Sequence, residues 1–463
     1  MEQALPVLEP AGTASAGLRP GILSPVETLA QSISTIAPTT SPTMTIPLVF
    51  ALAGNGTWLA YLFATLAILL MALCISRFAR HTCTSGSLYT YVTSSLPPSV
   101  SSIAGWAMLL AYVATGASVT AGFINYVNVF LVEFFGHPAP GALLAILCVG
   151  ASTLIAYRDV QVSAQVMLWI EAVSILLIAI VLVVLLWRNG LHIDPAQLHL
   201  RLVNASGVRL GVVLAIFSFV GFESATSLGE EAVNPLRTIP RAVIQSAVFT
   251  GLFLILCAYV ETLGMHALGQ DLGTSAAPMR ELSRLAGVNL FGRLIDFGAL
   301  VSMFACVLGC MTAAARVLLS MARDGLAHSS LSATHDKNAT PHTAVLFIGL
   351  LTVLPVAVLA ARGFGAADIY GWMGSLAVYG FITVYALAAI ALPIFLKRNH
   401  SLGLGTILIA AAAVSAMFLA LAGSLYPVPP SPLNWLPYLY LVYLLCGTGW
   451  YFFSRNARPS PSP

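Results

Sequence analysis

Long apolar runs alternate with short polar connections along the whole chain. A helix needs about 20 apolar residues to cross the hydrocarbon core of a bilayer. Twelve runs fit, with cores near 28–53, 57–79, 101–132, 140–157, 161–187, 209–232, 241–265, 293–322, 341–361, 367–396, 403–424 and 435–454. The pattern predicts an all-α integral membrane protein with twelve transmembrane helices spread over a domain at 25–455. Residues 1–24 are rich in Pro, Ala, Gly and Ser and lack the apolar core of a signal peptide. They and residues 456–463 read as disordered cytoplasmic tails.

Two runs are interrupted, the first and the sixth. In the first, Ile36-Ala37-Pro38-Thr39-Thr40-Ser41-Pro42-Thr43 falls near mid-membrane. Each proline removes a backbone donor and disturbs the carbonyl about four residues earlier. The four hydroxylated residues of the stretch, Thr39, Thr40, Ser41 and Thr43, can satisfy the backbone groups set free. In the sixth, Phe217-Ser218-Phe219-Val220-Gly221-Phe222-Glu223-Ser224 places a glycine beside a carboxylate. Irregular backbone and ionisable groups survive at bilayer depth only where they face protein or a cavity. If spans one to five (about 25–190) and six to ten (about 205–398) are repeats, both breaks open their repeat. An odd number of spans per repeat makes the topology inverted, and helices eleven and twelve (about 401–455) lie outside it. Interrupted helices at matching positions are the best sequence pointer to a transporter binding site.

Composition narrows the class. Hydrophobic residues make up 58% and charged residues 8% of the 463, too few charges to cover a water-soluble surface. The net charge of +3 is spread over short loops, which excludes a nucleic-acid footprint. Thirteen Lys/Arg, among them Arg77, Arg80, Arg158, Arg323 and Lys397, fall on the side of the termini, and seven, among them Arg188, Arg201 and Arg362, on the other. That bias predicts cytoplasmic termini. The seven cysteines mostly sit in apolar segments without zinc-ligand spacing, and the histidines form no paired motif, so no metal or cofactor is expected.

A broken helix exposes amides at one new end and carbonyls at the other, which favour an anion and a cation respectively. Two facing breaks can therefore hold a zwitterion. Thr39, Thr40, Ser41, Pro42 and Thr43 would supply the first break, and Ser218, Val220, Gly221 and Phe222 the second.

The stretch from Phe217 to Arg241, including Glu230-Glu231-Ala232-Val233-Asn234-Pro235-Leu236-Arg237-Thr238-Ile239-Pro240, resembles the sixth-span signature of the amino acid–polyamine–organocation permeases. Gly86-Ser87-Leu88-Tyr89-Thr90-Tyr91, Ala104-Gly105-Trp106, and Ala315-Arg316 through Ala322-Arg323-Asp324-Gly325-Leu326 with Pro341 resemble further parts of that family. The resemblance covers about 25–400. It implies a LeuT-type fold with inverted five-helix repeats, and proton-coupled symport or solute exchange. The chain departs from the family where Thr40-Ser41-Pro42 replaces a glycine-serine-glycine break, which leaves fewer amides for a carboxylate. Phe217 stands where some exchangers carry an aromatic gate residue, and Ser174 near where some relatives carry a sodium-replacing lysine.

Glu223, at a position where the family has a glutamate, is the proton-coupling candidate, since a buried carboxyl can load and release a proton. Glu171 in span five is read as the other intramembrane acid. Asn125 and Asn128, Ser302 and Thr312, and Tyr370, Ser375 and Tyr379 are lesser pathway or gate candidates. The sequons at Asn55 and Asn204 fall on the outer side. The expected activity is secondary transport of an amino acid or related small amine in the plasma membrane, or the inner membrane of a bacterial cell. A polyamine or organic-cation permease is the rival, with an exchanger, a membrane-embedded enzyme and a transport-dead sensor behind it. No P-loop or catalytic set supports a pump or an enzyme.

Overall fold

The computed structural model describes residues 23–82, 87–158, 164–190, 193–199, 203–228, 232–333 and 341–456. Gly86, the Glu230-Glu231 pair, Arg201 and Lys337 lie outside them. The helices are α1 (Pro25–Ile36), α2 (Ile46–Ala53), α3 (Thr57–Ala79), α4 (Ser87–Thr93), α5 (Pro98–Phe135), α6 (Gly141–Arg158), α7 (Ala164–Arg188) and α8 (Pro195–Leu198). They continue with α9 (Ala205–Phe217), α10 (Pro235–Leu268), α11 (Pro278–Leu285), α12 (Asn289–Arg323), α13 (His342–Ala361), α14 (Ala366–Arg398), α15 (Leu404–Leu425) and α16 (Leu436–Asn456). Among the described residues there is no strand, only an isolated bridge between Leu23 and Ala232.

Nine helical stretches among the described residues are long and apolar enough to cross a membrane. One of them, Ser41–Ala79, combines the second part of the broken first helix with α3, across the short turn at Gly54–Gly56. Each half of the chain opens on a broken helix and continues with four long ones: α3, α5, α6 and α7, then α10, α12, α13 and α14. This is the helix order of a LeuT-type all-α membrane bundle, with α15 and α16 added.

The start of α1 follows from its sequence. Ser24 and Glu27 form a reciprocal capping box, Ser24 N–H donating to the Glu27 carboxylate at 2.8 Å and Glu27 N–H to Ser24 Oγ at 3.2 Å. The Ser24 amide and hydroxyl hold the Glu27 carboxyl below its ordinary range. At the centre, α5 packs against α14 and α12, while α10 packs on α3. Small residues let these helices approach closely, as is general where lipid supplies no hydrophobic drive. A methyl group at Gly380 of α14 would lie 2.5 Å from the Ala107 carbonyl of α5. Large apolar side chains such as Phe63, Leu147, Trp169, Leu252, Leu350 and Leu445 point outward, as a lipid-facing surface requires.

Candidate functional site

The first break begins where α1 ends at Ile36. Ala37 takes a positive φ of 50°, and the chain turns through Pro38 and Thr39 into a π-helical turn at Ser41–Thr45 that leads into α2. Pro38 and Pro42 contribute no amides, which explains why regular α-helix cannot persist here. The Thr43 hydroxyl donates to the carbonyls of Thr39 at 2.9 Å and Thr40 at 3.1 Å, meeting the expectation that local hydroxyls satisfy the freed backbone. The Thr39 amide and hydroxyl both donate to Oε1 of Glu171 on α7, at 2.8 and 2.7 Å. Ser302 of α12 lies near this carboxyl group. Glu171 thus caps the break from a neighbouring helix. The Thr39 amide, one of the few that this proline-rich break offers to a ligand carboxylate, is engaged with it. The Thr40 amide is also engaged, by the Ala37 carbonyl at 2.9 Å. The Thr40 hydroxyl is buried without a hydrogen-bond partner.

The second break follows α9. Tight turns bond the amides of Ser218, Phe219 and Val220 to the carbonyls three residues earlier. Gly221 has φ 102°, in the region that favours glycine. A β-carbon there would lie 2.7 Å from the Thr35 methyl and 2.9 Å from the Thr35 carbonyl carbon. The last turn of α1 therefore rests directly on the second break. Ser32 of α1 completes the junction by donating to the Phe222 carbonyl at 3.2 Å and accepting from the Ala225 amide at 3.1 Å.

The two breaks also meet through tyrosines. Tyr370 of α14 shares a hydrogen bond with the Thr45 hydroxyl at 2.9 Å, and its ring meets Phe217 edge-on with centroids 5.7 Å apart. Ser118 of α5 donates to the Tyr370 carbonyl at 2.7 Å. Tyr126 of α5 donates to the Thr43 carbonyl at 3.0 Å, and Tyr61 of α3 pairs with the Ser218 hydroxyl at 3.0 Å. Thr39, Thr40, Ser41, Pro42, Phe217, Ser218, Val220 and Gly221 are all buried.

Glu223 is buried just beyond Gly221, and Tyr385 of α14 donates to its Oε2 at 3.2 Å. The amides of Glu223 itself and Gly221 lie near the same carboxyl, while Oε1 has no hydrogen-bond partner.

The expectation that Glu223 and Glu171 are the intramembrane acids is corrected by two more. Glu261 of α10 is fully buried, with neither carboxyl oxygen hydrogen-bonded, and sits close to Tyr61, Tyr126 and Cys257. Asp296 of α12 is fully buried and paired through Oδ2 with Arg280 Nε at 2.5 Å. Arg280 also holds Glu133 at 2.7 Å, and Arg293 holds the other Glu133 oxygen at 2.8 Å. Both acids fall inside predicted spans, at 241–265 and 293–322, so the rule that singles out Glu223 applies to them.

Other candidates scatter. Asn125 donates to the Ala276 carbonyl, and Asn128 ties the end of α5 to Ala139. Thr312 bonds to its own helix, as does Ser174. Ser375 and Tyr379 line a small cleft with Leu52, Leu214 and Pro429. Asn204 caps α9 by accepting from Ser206 and Gly207. Among the described residues no cluster of metal-ligating side chains occurs.

The sequence matches the family described as amino acid permease over residues 23–446. It is 28% identical over 368 residues, 76% of each chain, to the branched-chain amino acid permease BcaP of Bacillus subtilis. It is 31% identical to a transporter of Mycobacterium tuberculosis, covering 73% of this chain and 72% of that one. It is 25% identical to the low-affinity putrescine importer PlaP of Escherichia coli, covering 64% of this chain and 66% of that one. A match of that extent, on a bundle whose two halves both open on a broken helix, makes this multi-pass membrane protein a member of the amino acid permease family.

Proposed function

We propose that the protein is a secondary transporter that moves an amino acid or related small amine by alternating access, coupled to protons, without catalysing a reaction. The observation that carries this reading is the meeting of the two broken helices at one buried polar cluster, Gly221 directly on Thr35, with Tyr370 of α14 bridging Thr45 and Phe217. The solute lies between the breaks, against Thr39, Thr40, Ser41 and Pro42 on one side and Phe217, Ser218, Val220 and Gly221 on the other. Phe217 and Tyr370 close over it. Glu223 carries the coupling proton, with Glu171 second. The chain crosses the plasma membrane, or a bacterial inner membrane, twelve times, with both termini in the cytoplasm. Its relatives support this substrate class, since one is a branched-chain amino acid permease and another a putrescine importer.

One observation favours a cationic solute. A diamine or basic amino acid calls for more buried acid than Glu223 and Glu171, and the unpartnered Glu261 beside Tyr61 and Tyr126 supplies it. Uptake into proteoliposomes of labelled leucine, arginine and putrescine, with and without an imposed proton gradient, tests both readings. Gradient-dependent accumulation of one of them, lost in Ser41→Leu at wild-type abundance, is the expected result. Wild-type affinity in a well-folded Ser41→Leu protein would move the solute site elsewhere. Reporter fusions at Arg158 and Lys337 should read cytoplasmic and one at Arg201 exterior, and a cytoplasmic Arg201 would sink the orientation.

A further inference from the structure

Away from the breaks, a cavity of about 420 Å³ opens where the end of α3 meets the first turns of α10. It is lined by Arg80, Leu236, Arg237, Pro240, Arg241 and Ile244. Three arginines thus line one hollow. Some arginines elsewhere are engaged, Arg280 and Arg293 with carboxylates and Arg77, Arg188 and Arg398 with backbone carbonyls, whereas these three share one hollow. Among the described residues no carboxylate pairs with Arg80, Arg237 or Arg241. All three are exposed, and like charges gathered around one hollow favour an anion among them. Phosphate oxygens match the guanidinium fork best.

The surroundings select the source of the phosphate. Ile244, Val248, Leu252 and Leu256 recur every four residues and so share one face of α10, running away from the arginines. Val248, Leu252 and Leu256 are exposed on the outside of the bundle, and Leu236 is exposed beside the cavity. A soluble phosphate has no use for such a stripe, whereas acyl chains do. We propose that this cavity binds an anionic phospholipid, its phosphate held by Arg80, Arg237 and Arg241 and its chains laid along α10. Basic pockets between membrane helices at the headgroup level are suited to such lipids. Because α10 also packs on α1 and on the turn that follows Glu223, a lipid here would brace a helix that supports both breaks.

The test uses the full chain purified in detergent. Native mass spectrometry with phosphatidylglycerol and phosphatidylcholine measures retention, and thermal unfolding with each lipid measures stabilisation. The expected result is selective retention of phosphatidylglycerol and a higher melting temperature with it, both weakened by salt. Each Arg→Gln change should lower phosphatidylglycerol affinity about fivefold, with little change for phosphatidylcholine. Arg237→Lys should keep part of the selectivity. Equal retention of the two lipids by the wild-type protein would overturn the proposal without any variant. So would wild-type phosphatidylglycerol binding in Arg80→Gln/Arg237→Gln/Arg241→Gln. Protection by inorganic phosphate equal to that by phosphatidylglycerol would assign the cavity to a soluble anion instead. If the arginines only balance Glu230 and Glu231 within the chain, the triple variant will lose stability equally in both lipids, which also refutes lipid binding.

Discussion

The first break is assembled from prolines and groups borrowed from other helices, whereas the second makes most of its own turns around one glycine. At the first, Pro38 and Pro42 remove amides, Thr43 answers the freed carbonyls, and Glu171 reaches across from α7 to take the Thr39 amide and hydroxyl. At the second, successive tight turns bond the amides of Ser218 to Val220 locally, and the groups borrowed from other helices are side-chain hydroxyls, those of Ser32, Tyr61 and Ser246 among them. The two acids beside the breaks differ accordingly. One oxygen of Glu171 receives two short hydrogen bonds from Thr39, whereas Glu223 receives one of 3.2 Å and has a free Oε1. A group that must gain and lose a proton during each cycle is better served by the looser setting, which ranks Glu223 above Glu171.

The largest expected effect is at Gly221. A branched side chain there meets the Thr35 backbone and must also take a φ of 102°. The backbone term alone costs roughly 1–2 kcal/mol, and the contact adds to it because backbone cannot swing aside. Gly221→Val should abolish uptake and sharply lower the amount of folded protein extracted from membranes, with Gly221→Ala intermediate. Wild-type abundance and transport in Gly221→Val would mean that the breaks do not pack as described.

Next comes the ranking of the acids. Glu223→Gln keeps an acceptor for Tyr385 but cannot exchange a proton, so gradient-driven accumulation should vanish while solute binding persists. Glu261→Gln is the companion measurement. If it abolishes accumulation and Glu223→Gln does not, the unpartnered acid of α10 carries the proton and the comparison of the two breaks loses its functional meaning.

A smaller effect is expected at Glu171. Glu171→Gln retains a carbonyl oxygen for Thr39, so transport and its gradient dependence should largely survive. Glu171→Leu strands the buried Thr39 amide and hydroxyl, each worth about 1–3 kcal/mol when left unmade. It should therefore lower the melting temperature of the purified protein, and Thr39→Val combined with it should add less than its separate effect. Loss of gradient dependence in a stable Glu171→Gln protein would show that the borrowed cap is also a proton carrier.

How much of this was legible beforehand depended on whether the signal was local. Proline and glycine inside apolar runs are local events, so both breaks, the order of the long helices and the hydroxyl support at Thr43 could be read from the chain. The Glu171 cap could not, because Thr39 and Glu171 are 132 residues apart and meet only through the packing of α7. Tyr61 and Tyr126 were invisible for the same reason: a tyrosine in an apolar helix does not reveal which face it occupies. Glu261 and Asp296 are a different kind of miss. Each is a lone acid within an apolar run, and the cost of burying an acid was itself the available signal.

The smallest expected effect sharpens the comparison most directly, because it asks the first break to behave like the second. Ala37 carries the positive φ at the first break with a β-carbon in place, at 50°. A non-glycine residue in that region is strained by roughly 1–2 kcal/mol, and Ala37→Gly would release this strain. Against it stands the extra freedom of glycine in the unfolded chain, about 0.4–1 kcal/mol. The second offsets part or all of the first, so Ala37→Gly should be neutral or stabilise by at most about 1.5 kcal/mol, read as a rise of a few degrees or less in melting temperature. Transport should be unchanged, since the Thr39–Glu171 cap sits beyond the substitution. A clear destabilisation would mean that the Ala37 methyl group is part of the packing between the breaks, and that the first break, like the second, depends on what its central residue touches.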